Sequence, residues 1–342
     1  MSGVRALTHP WIAGTRSLWP GLAAPLLIML GATFLSEHYG GPQLLYALLL
    51  GLAFHFLHED ERCRPGIEFC AKSLLRIGVA LLGARITLSQ IGQLGAGPLA
   101  LAVLSIASTI VLGAWLARRL GLRTDFGLLC GAAVSICGAS AALAVSAVMP
   151  KSQDGERHTL VAVVGVTGLS TLAMVVYPLL AQQLGFSDTS AGIFLGGTIH
   201  DVAQVVGAGL MLSHPTGDVA LIVKLVRVTL LVPVVAALAF YWRRSSGYTA
   251  AGAGRRAPLL PLFLVGFVAL VLVNSTGFVT PEVTDVLGQV SRTCLVVAIS
   301  ALGIKTSLGE LVKLGWRPMA LMIVATLWLA AVVLAYLWAF RP

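Results

Sequence analysis

The amino-acid sequence predicts an all-α, polytopic membrane protein of about eleven transmembrane helices, with inverted repeats and discontinuous helices. Three observations predict it. The 342 residues are 57% hydrophobic and 11% charged, with a mean hydropathy of +0.91, whereas ordinary globular domains carry roughly 25% charged residues. A motif near the first quarter of the chain recurs near its end, and two apolar segments hold glycine and small polar clusters where a lipid-facing helix would hold bulk.

The spans come first. A bilayer core needs about 20 mostly apolar residues per helix. Such stretches lie near 20–37, 43–58, 67–88, 98–118, 126–149, 158–182, 190–213, 219–242, 259–276, 286–308 and 319–340. Residues 1–342 therefore read as one membrane domain, with almost nothing left over for a soluble one. The first apolar run follows Trp19-Pro20 and lacks a small-residue cleavage pattern, so it reads as a span and not as a cleaved signal.

The net charge of +9 would suit nucleic acid if it were clustered, but it alternates. Arg5 and Arg16, Arg62 and Arg64, Arg118, Arg119 and Arg123, Arg243, Arg244, Arg255 and Arg256, then Lys313 and Arg317 fall in alternate connections. The other set, "SEHYGG", "SQIGQLGAG", "SHPTGD" and "TGFVTPEVTD", has no Lys or Arg. This positive-inside pattern puts the N-terminus in the cytoplasm and, with eleven spans, the C-terminus outside. Lys151 and Arg157 in "PKSQDGERH" are the main exception. The five cysteines lack C-x-x-C spacing and read as small packing residues, with no metal site.

The repeat aligns "LLGARITLSQIGQLGAGP" (81–98) with "ALGIKTSLGELVKLGWRP" (301–318) without a gap, 220 residues apart. It pairs Gly83 with Gly303, Arg85 with Lys305, Leu88 with Leu308, Gln90 with Glu310, Gly95 with Gly315 and Pro98 with Pro318; Lys72 and Arg292 also pair. The related segments, about 72–118 and 292–338, lie seven crossings apart and so run in opposite directions. Inverted repeats of this kind build many secondary transporters, with the substrate near the midplane.

"GLLCGAAVSICGASAALAVSAVMP" (127–150) and "GIFLGGTIHDVAQVVGAGLML" (192–212) both open with G-x-x-x-G and run into small polar residues. Small residues let helices approach closely. Opened backbone at membrane depth is tolerated only where protein or a wet cavity satisfies it. For 127–150 tight packing and an opened helix stay equal alternatives; in 192–212 the polar cluster favours an interruption. If both segments cross, the loop charges make them parallel where symmetry partners should be antiparallel. Either a repeat is permuted or one segment is re-entrant.

The candidate site residues follow from depth and charge. On a helix, His200, Asp201 and Gln204 share one broad face. A carboxylate at membrane depth needs a cavity or a partner, and His titrates near neutral pH. His200 and Asp201 are therefore the candidate coupling groups. Arg76, Lys224 and Arg227 are deep cations suited to an oxyanion, and Ser140, Thr198 and Gln204 complete the candidate substrate-binding set. The expectation is that these groups converge on one cavity.

"LLGARITL", "CGASAALAVSAVMP" and "GGTIHDVAQVVGAG", in this order and over most of the chain, resemble the YeiH family of bacterial inner-membrane proteins, labelled sulfate exporters. The resemblance implies transport, and a place among the bile-acid sodium symporters and cation/proton antiporters, with "CGASAALAV" as a crossed helix. The leading expectation is an ion- or proton-coupled secondary transporter of a small inorganic or organic anion, sulfate among them, in the bacterial inner membrane. The coupling ion is a proton or sodium; a homo-oligomer is compatible; no cofactor and no nucleic acid is called for. The alternative is a channel-like pore or a membrane-embedded enzyme using His200 and Asp201; against the enzyme argues the absence of H-E-x-x-H, G-x-S-x-G and P-loop motifs.

Overall fold

The computed structural model describes residues 10–150, 155–246, 262–277, 279–307, 309 and 314–340. Arg5, Lys151, Arg255, Arg256 and Lys313, with Leu308 and Glu310 of the repeat, lie outside them. The described residues form helices and no strand. Among the described residues, six helices are long and apolar enough to cross a membrane: Leu18–Tyr39, Gly97–Arg119, Gly155–Gln183, His214–Arg244, Pro281–Lys305 and Trp316–Phe340. The other apolar stretches form shorter or interrupted helices.

The chain divides into two compact units, the first comprising Met1–Gly78 with Gln289–Thr306 and the second Val79–Gly288 with Ser307–Pro342. In the first unit, helices meet at glycines. A Cβ on Gly51 would stand 2.9 Å from the Gly303 Cα, and one on Gly21 would stand 2.7 Å from the Gly66 Cα. His55 Nδ1 lies 2.8 Å from the Ile304 carbonyl oxygen, and Ile28, Ile67, Cys70, Ala71, Val297, Ala301 and Ile304 fill the core.

The two copies of the sequence repeat, the second of which begins in the first unit, are visible in the backbone. One copy ends a helical run at Arg85 and the other at Lys305. Gly95 and Gly315 both have positive φ, 65° and 85°, and long helices follow, Gly97–Arg119 and Trp316–Phe340. These two helices run antiparallel: Gly97 approaches Tyr336, Trp328 Nε1 donates to Ser108 Oγ at 3.3 Å, and Gly121 approaches the Arg317 guanidinium.

Both small-residue segments are broken and turn back. Thr124–Ser135 and Ala139–Val148 flank a break at 136–138, and Asp188–Thr198 and Val202–Leu212 flank a break at 199–201. The second pair returns to its starting point, because Ser213 Oγ and Thr216 Oγ1 both donate to the Asp188 carboxylate. The first does the same. The helix following it begins at Gly155, and its His158 ring lies 4.9 Å from the ring of Phe126, which sits at the entry to the first pair. Each is a helical hairpin.

The expected crossings at 126–149 and 190–213, and the crossed helix at "CGASAALAV", are therefore corrected. Each arm holds 10 to 12 residues, about 15–18 Å of helix, roughly half a bilayer core. Hydropathy cannot tell two apolar half-lengths from one crossing. The hairpins enter from opposite ends of the unit. The mouth of the first lies beside Trp242, whose Nε1 donates to Asp125 at 2.9 Å, and the mouth of the second lies beside Ser213, with the helical run His214–Arg244 connecting the two. "PKSQDGERH" then follows a hairpin, so Arg157 falls at the same end as Arg118, Arg119 and Arg123.

Candidate functional site

The hairpin tips meet. Gly138 turns with φ 65° and ψ −127°, a conformation that a Cβ disfavours, and a Cβ there would stand 3.6 Å from the His200 carbonyl oxygen. The second tip breaks without a positive-φ glycine. Thr198 Oγ1 bonds back to the Phe194 carbonyl at 2.6 Å, Ile199 becomes extended, and Asp201 restarts the helix as N-cap by accepting from Ala203 N at 2.8 Å.

A helix end leaves carbonyls without partners, and at these tips the candidate cations and His200 supply them. At the end of the first entering arm, Ala132 O accepts from Ile136 N and Ala133 O from Gly138 N. Val134 O accepts from His200 Nδ1 at 2.9 Å, Ser135 O from Arg227 Nε at 2.9 Å and from Nη2, and Ile136 O from Lys224 Nζ at 2.7 Å. In the second arm, Arg227 Nη1 donates to Gly196 O at 3.0 Å and Lys224 Nζ to Ile199 O at 2.9 Å. One helix thus ties both tips, because residues three apart share a helix face. Cations at two helix C-termini also meet the negative ends of two helix dipoles. Gly192, Gly196 and Gly209 admit this helix closely; a Cβ on Gly196 would stand 2.9 Å from Val223 Cβ.

His200, Lys224 and Arg227 are fully buried. With the proton on Nδ1, a neutral His200 donates to Val134 and accepts from Thr326 Oγ1 at 3.0 Å through Nε2. Gln204 Nε2 donates to Thr171 Oγ1 at 2.8 Å, and Asp201 N to Ser170 Oγ at 3.0 Å. The Gln204 Oε1 and Ser135 Oγ atoms are buried without a partner. The accessible side of the tips carries Ser140, which is exposed, and Asp201, which is half-buried.

Several expectations change at this point. His200 and Asp201 lie in the break, so they do not share a helical face with Gln204. Lys224 and Arg227 are not open to a wet cavity; their hydrogen bonds go to main-chain oxygens. Arg76 belongs to the first unit and is exposed, so it is not part of this buried cluster. The sequence reading missed Thr326, Ser170 and Thr171, polar residues inside otherwise ordinary spans, and the mouth residues Asp125, Asp188 and Trp242. The basic exception at Lys151 and Arg157 was the available signal for a hairpin.

Fold and site together define a multi-pass membrane protein with paired, inward-pointing helical hairpins. The chain belongs to the family described as conserved hypothetical protein 698, whose model matches residues 20–322. It is the family that the three motifs point to. The chain is 50% identical over 317 residues to a UPF0324 membrane protein of Chlorobaculum tepidum, covering 92% of this chain and 88% of that one. It is 49% identical over 318 residues to the UPF0324 membrane protein TauZ of Paracoccus pantotrophus, covering 93% and 94%. A UPF0324 membrane protein of Bordetella pertussis is 36% identical over 318 residues, covering 91% and 90%. No solved structure matches.

Proposed function

We propose that the protein is a secondary transporter of a small anion, with its substrate at the accessible side of the hairpin tips. The observation that carries this reading is the charge arrangement there. Two cations are buried at the tips, the returning arms of both hairpins start there with the positive ends of their dipoles, and Asp201 already caps one of those starts. The other start, at Gly138–Ser140, has no side-chain cap. An anion beside Ser140 would meet backbone N–H groups and a positive field. Lys224 and Arg227 act through that field, with their hydrogen bonds kept on the carbonyls.

Broken helices near the midplane and an inverted repeat support transport over catalysis, and the antiparallel long helices support the inversion. Asp201, the accessible carboxylate at the tips, is the coupling group in this reading, taking a proton or sodium as the site changes sides. Its neighbour His200 has a positioning role. The N-terminus is proposed as cytoplasmic in a bacterial inner membrane; the gathering of Arg118, Arg119, Arg123, Arg157, Arg243, Arg244 and Arg317 at one end of the second unit supports this orientation.

The test is purified protein in liposomes, assayed against a panel of inorganic and organic anions, sulfate included, with and without pH and sodium gradients. Gradient-dependent uptake of one anion, lost in Asp201→Asn, is the expected result. Flux of all anions without coupling would favour a pore.

A further inference from the structure

The end of the second unit where the first hairpin enters carries a second arrangement of cations, independent of the tips. The helix Gly97–Arg119 ends there in Trp115, Arg118 and Arg119, and the helix Trp316–Phe340 starts there in Trp316 and Arg317. The Gly121 turn joins the two, since a Cβ on Gly121 would stand 3.7 Å from Arg317 Nη1. The Arg119 guanidinium lies 5.3 Å from the Trp115 ring centroid, and that of Arg317 lies 5.5 Å from the Trp316 centroid. Both rings are open, with Trp115 52% and Trp316 68% exposed.

We propose that Arg118, Arg119 and Arg317, with Trp115 and Trp316 beside them, form a binding site for the phosphate of an acidic phospholipid headgroup. Trp prefers the membrane–water interface, with its ring at headgroup level. A guanidinium stacked on such a ring is held at the same depth, with its N–H donors in the guanidinium plane left for an oxyanion. Arg118 is pre-positioned by its Nε–H, which donates to Thr124 Oγ1 at 3.1 Å and leaves the Nη donors for another acceptor. Arg123 is different. Its Nη2 pairs with Asp125 at 3.1 Å, and Asp125 also accepts from Trp242, so this neighbour belongs to the hairpin mouth. The exposed arginines therefore sit at neighbouring ends of two antiparallel long helices, with the Arg317 guanidinium beside the Gly121 turn that follows Arg118 and Arg119.

A soluble anion would have no use for the two open indole rings, and this decides for lipid over free phosphate. Basic side chains near a membrane surface attract acidic lipid by an amount that makes the loss of two worth about thirtyfold in affinity. The experiment is native mass spectrometry of the full-length protein, extracted in detergent and given equal phosphatidylglycerol and phosphatidylcholine. Phosphatidylglycerol should be retained about thirtyfold more, and Arg119→Gln with Arg317→Gln should remove the preference. The equal-charge control, Arg243→Gln with Arg244→Gln, should keep it. Trp115→Leu with Trp316→Leu, which leaves the charge in place, should weaken retention as well.

An equal loss in the control pair would mean diffuse attraction to the whole basic end and would overturn the site. Displacement by soluble glycerol phosphate as effective as by lipid would assign it to a free phosphate and would also overturn the proposal. If the arginine pair does not fold, the tryptophan pair carries the test alone: unchanged retention there counts against the site.

Discussion

The two hairpins of the second unit are one device built with different chemistry. Each has an entering arm, a break and a returning arm, and each has an aspartate at its mouth, Asp125 in one and Asp188 in the other. The first hairpin turns on glycine at Gly138 and leaves its returning arm without a side-chain cap. The second turns without glycine and caps its returning arm with Asp201. One tip therefore offers an open positive helix end while the other supplies a fixed carboxylate. In the proposed function, this difference assigns the anion to the first tip and the coupling cation to the second.

The shared element is the pair of cations, and its removal should have the largest effect. Arg227→Met would leave Ser135 O and Gly196 O buried without these donors. At about 1–3 kcal/mol for each orphaned group, the loss should be roughly 2–6 kcal/mol, read as a lower thermal unfolding midpoint in detergent. Lys224→Met should cost a comparable amount through Ile136 O and Ile199 O. If either variant unfolds like wild type, the tips are not held by these side chains, and the comparison between them loses its common frame.

Features confined to the first hairpin come next. Gly138→Ala forces a side chain into φ 65°, ψ −127°, at a cost of about 1–3 kcal/mol. At its mouth, Asp125→Ala would leave Trp242 Nε1 without its acceptor on a side chain that is 2% exposed, again about 1–3 kcal/mol. Both losses should appear in the unfolding midpoint. A wild-type midpoint in Gly138→Ala would mean that the first tip can turn without glycine, as the second does.

Much of this was legible in the sequence. The two small-residue segments announce close packing and a break, because Gly and Ala cannot fill a lipid-facing surface. The 220-residue repeat is matched by the helix ends at Arg85 and Lys305 and by positive-φ turns at Gly95 and Gly315. Direction was not legible. A hairpin of two apolar arms and a single apolar crossing have the same local composition, and only the charge of the following loop separates them. The partners of Lys224 and Arg227 were hidden for a different reason. Their acceptors are main-chain oxygens, which every residue has, so no side-chain pattern marks them. His200 likewise reads as a titrating group, while its Nδ1 satisfies the carbonyl of Val134, 66 residues away.

Asp201 separates cap from charge. Asn is as good an N-cap as Asp, so Asp201→Asn should stay within about 0.5 kcal/mol of wild type, whereas Asp201→Ala should lose about 1 kcal/mol. Both should lose gradient-coupled anion flux. Normal coupling in the Asn variant at every pH would reduce Asp201 to a cap and make the two tips functionally alike.

The smallest effect is expected at the mouth of the second hairpin, where the contrast with Asp125 is sharpest. Asp188 is exposed, and the hydroxyls of Ser213 and Thr216 that donate to it hold its carboxyl below the usual carboxylate range. A carboxyl depressed in the folded state stabilises above its unfolded pKa of about 3.9 and loses that contribution as the pH falls through the folded value. Exposure and solvent screening limit it to a few tenths of a kcal/mol. Asp188→Ala should therefore lower the unfolding midpoint slightly at pH 6 to 7, with the difference from wild type narrowing below about pH 4. Asp125 serves a buried indole N–H, so Asp125→Ala should cost more than Asp188→Ala at neutral pH. Equal costs at the two mouths would mean that burial of the partner does not set the difference, and that the hydroxyl clasp at Ser213 and Thr216 holds its hairpin as firmly as Trp242 holds the other.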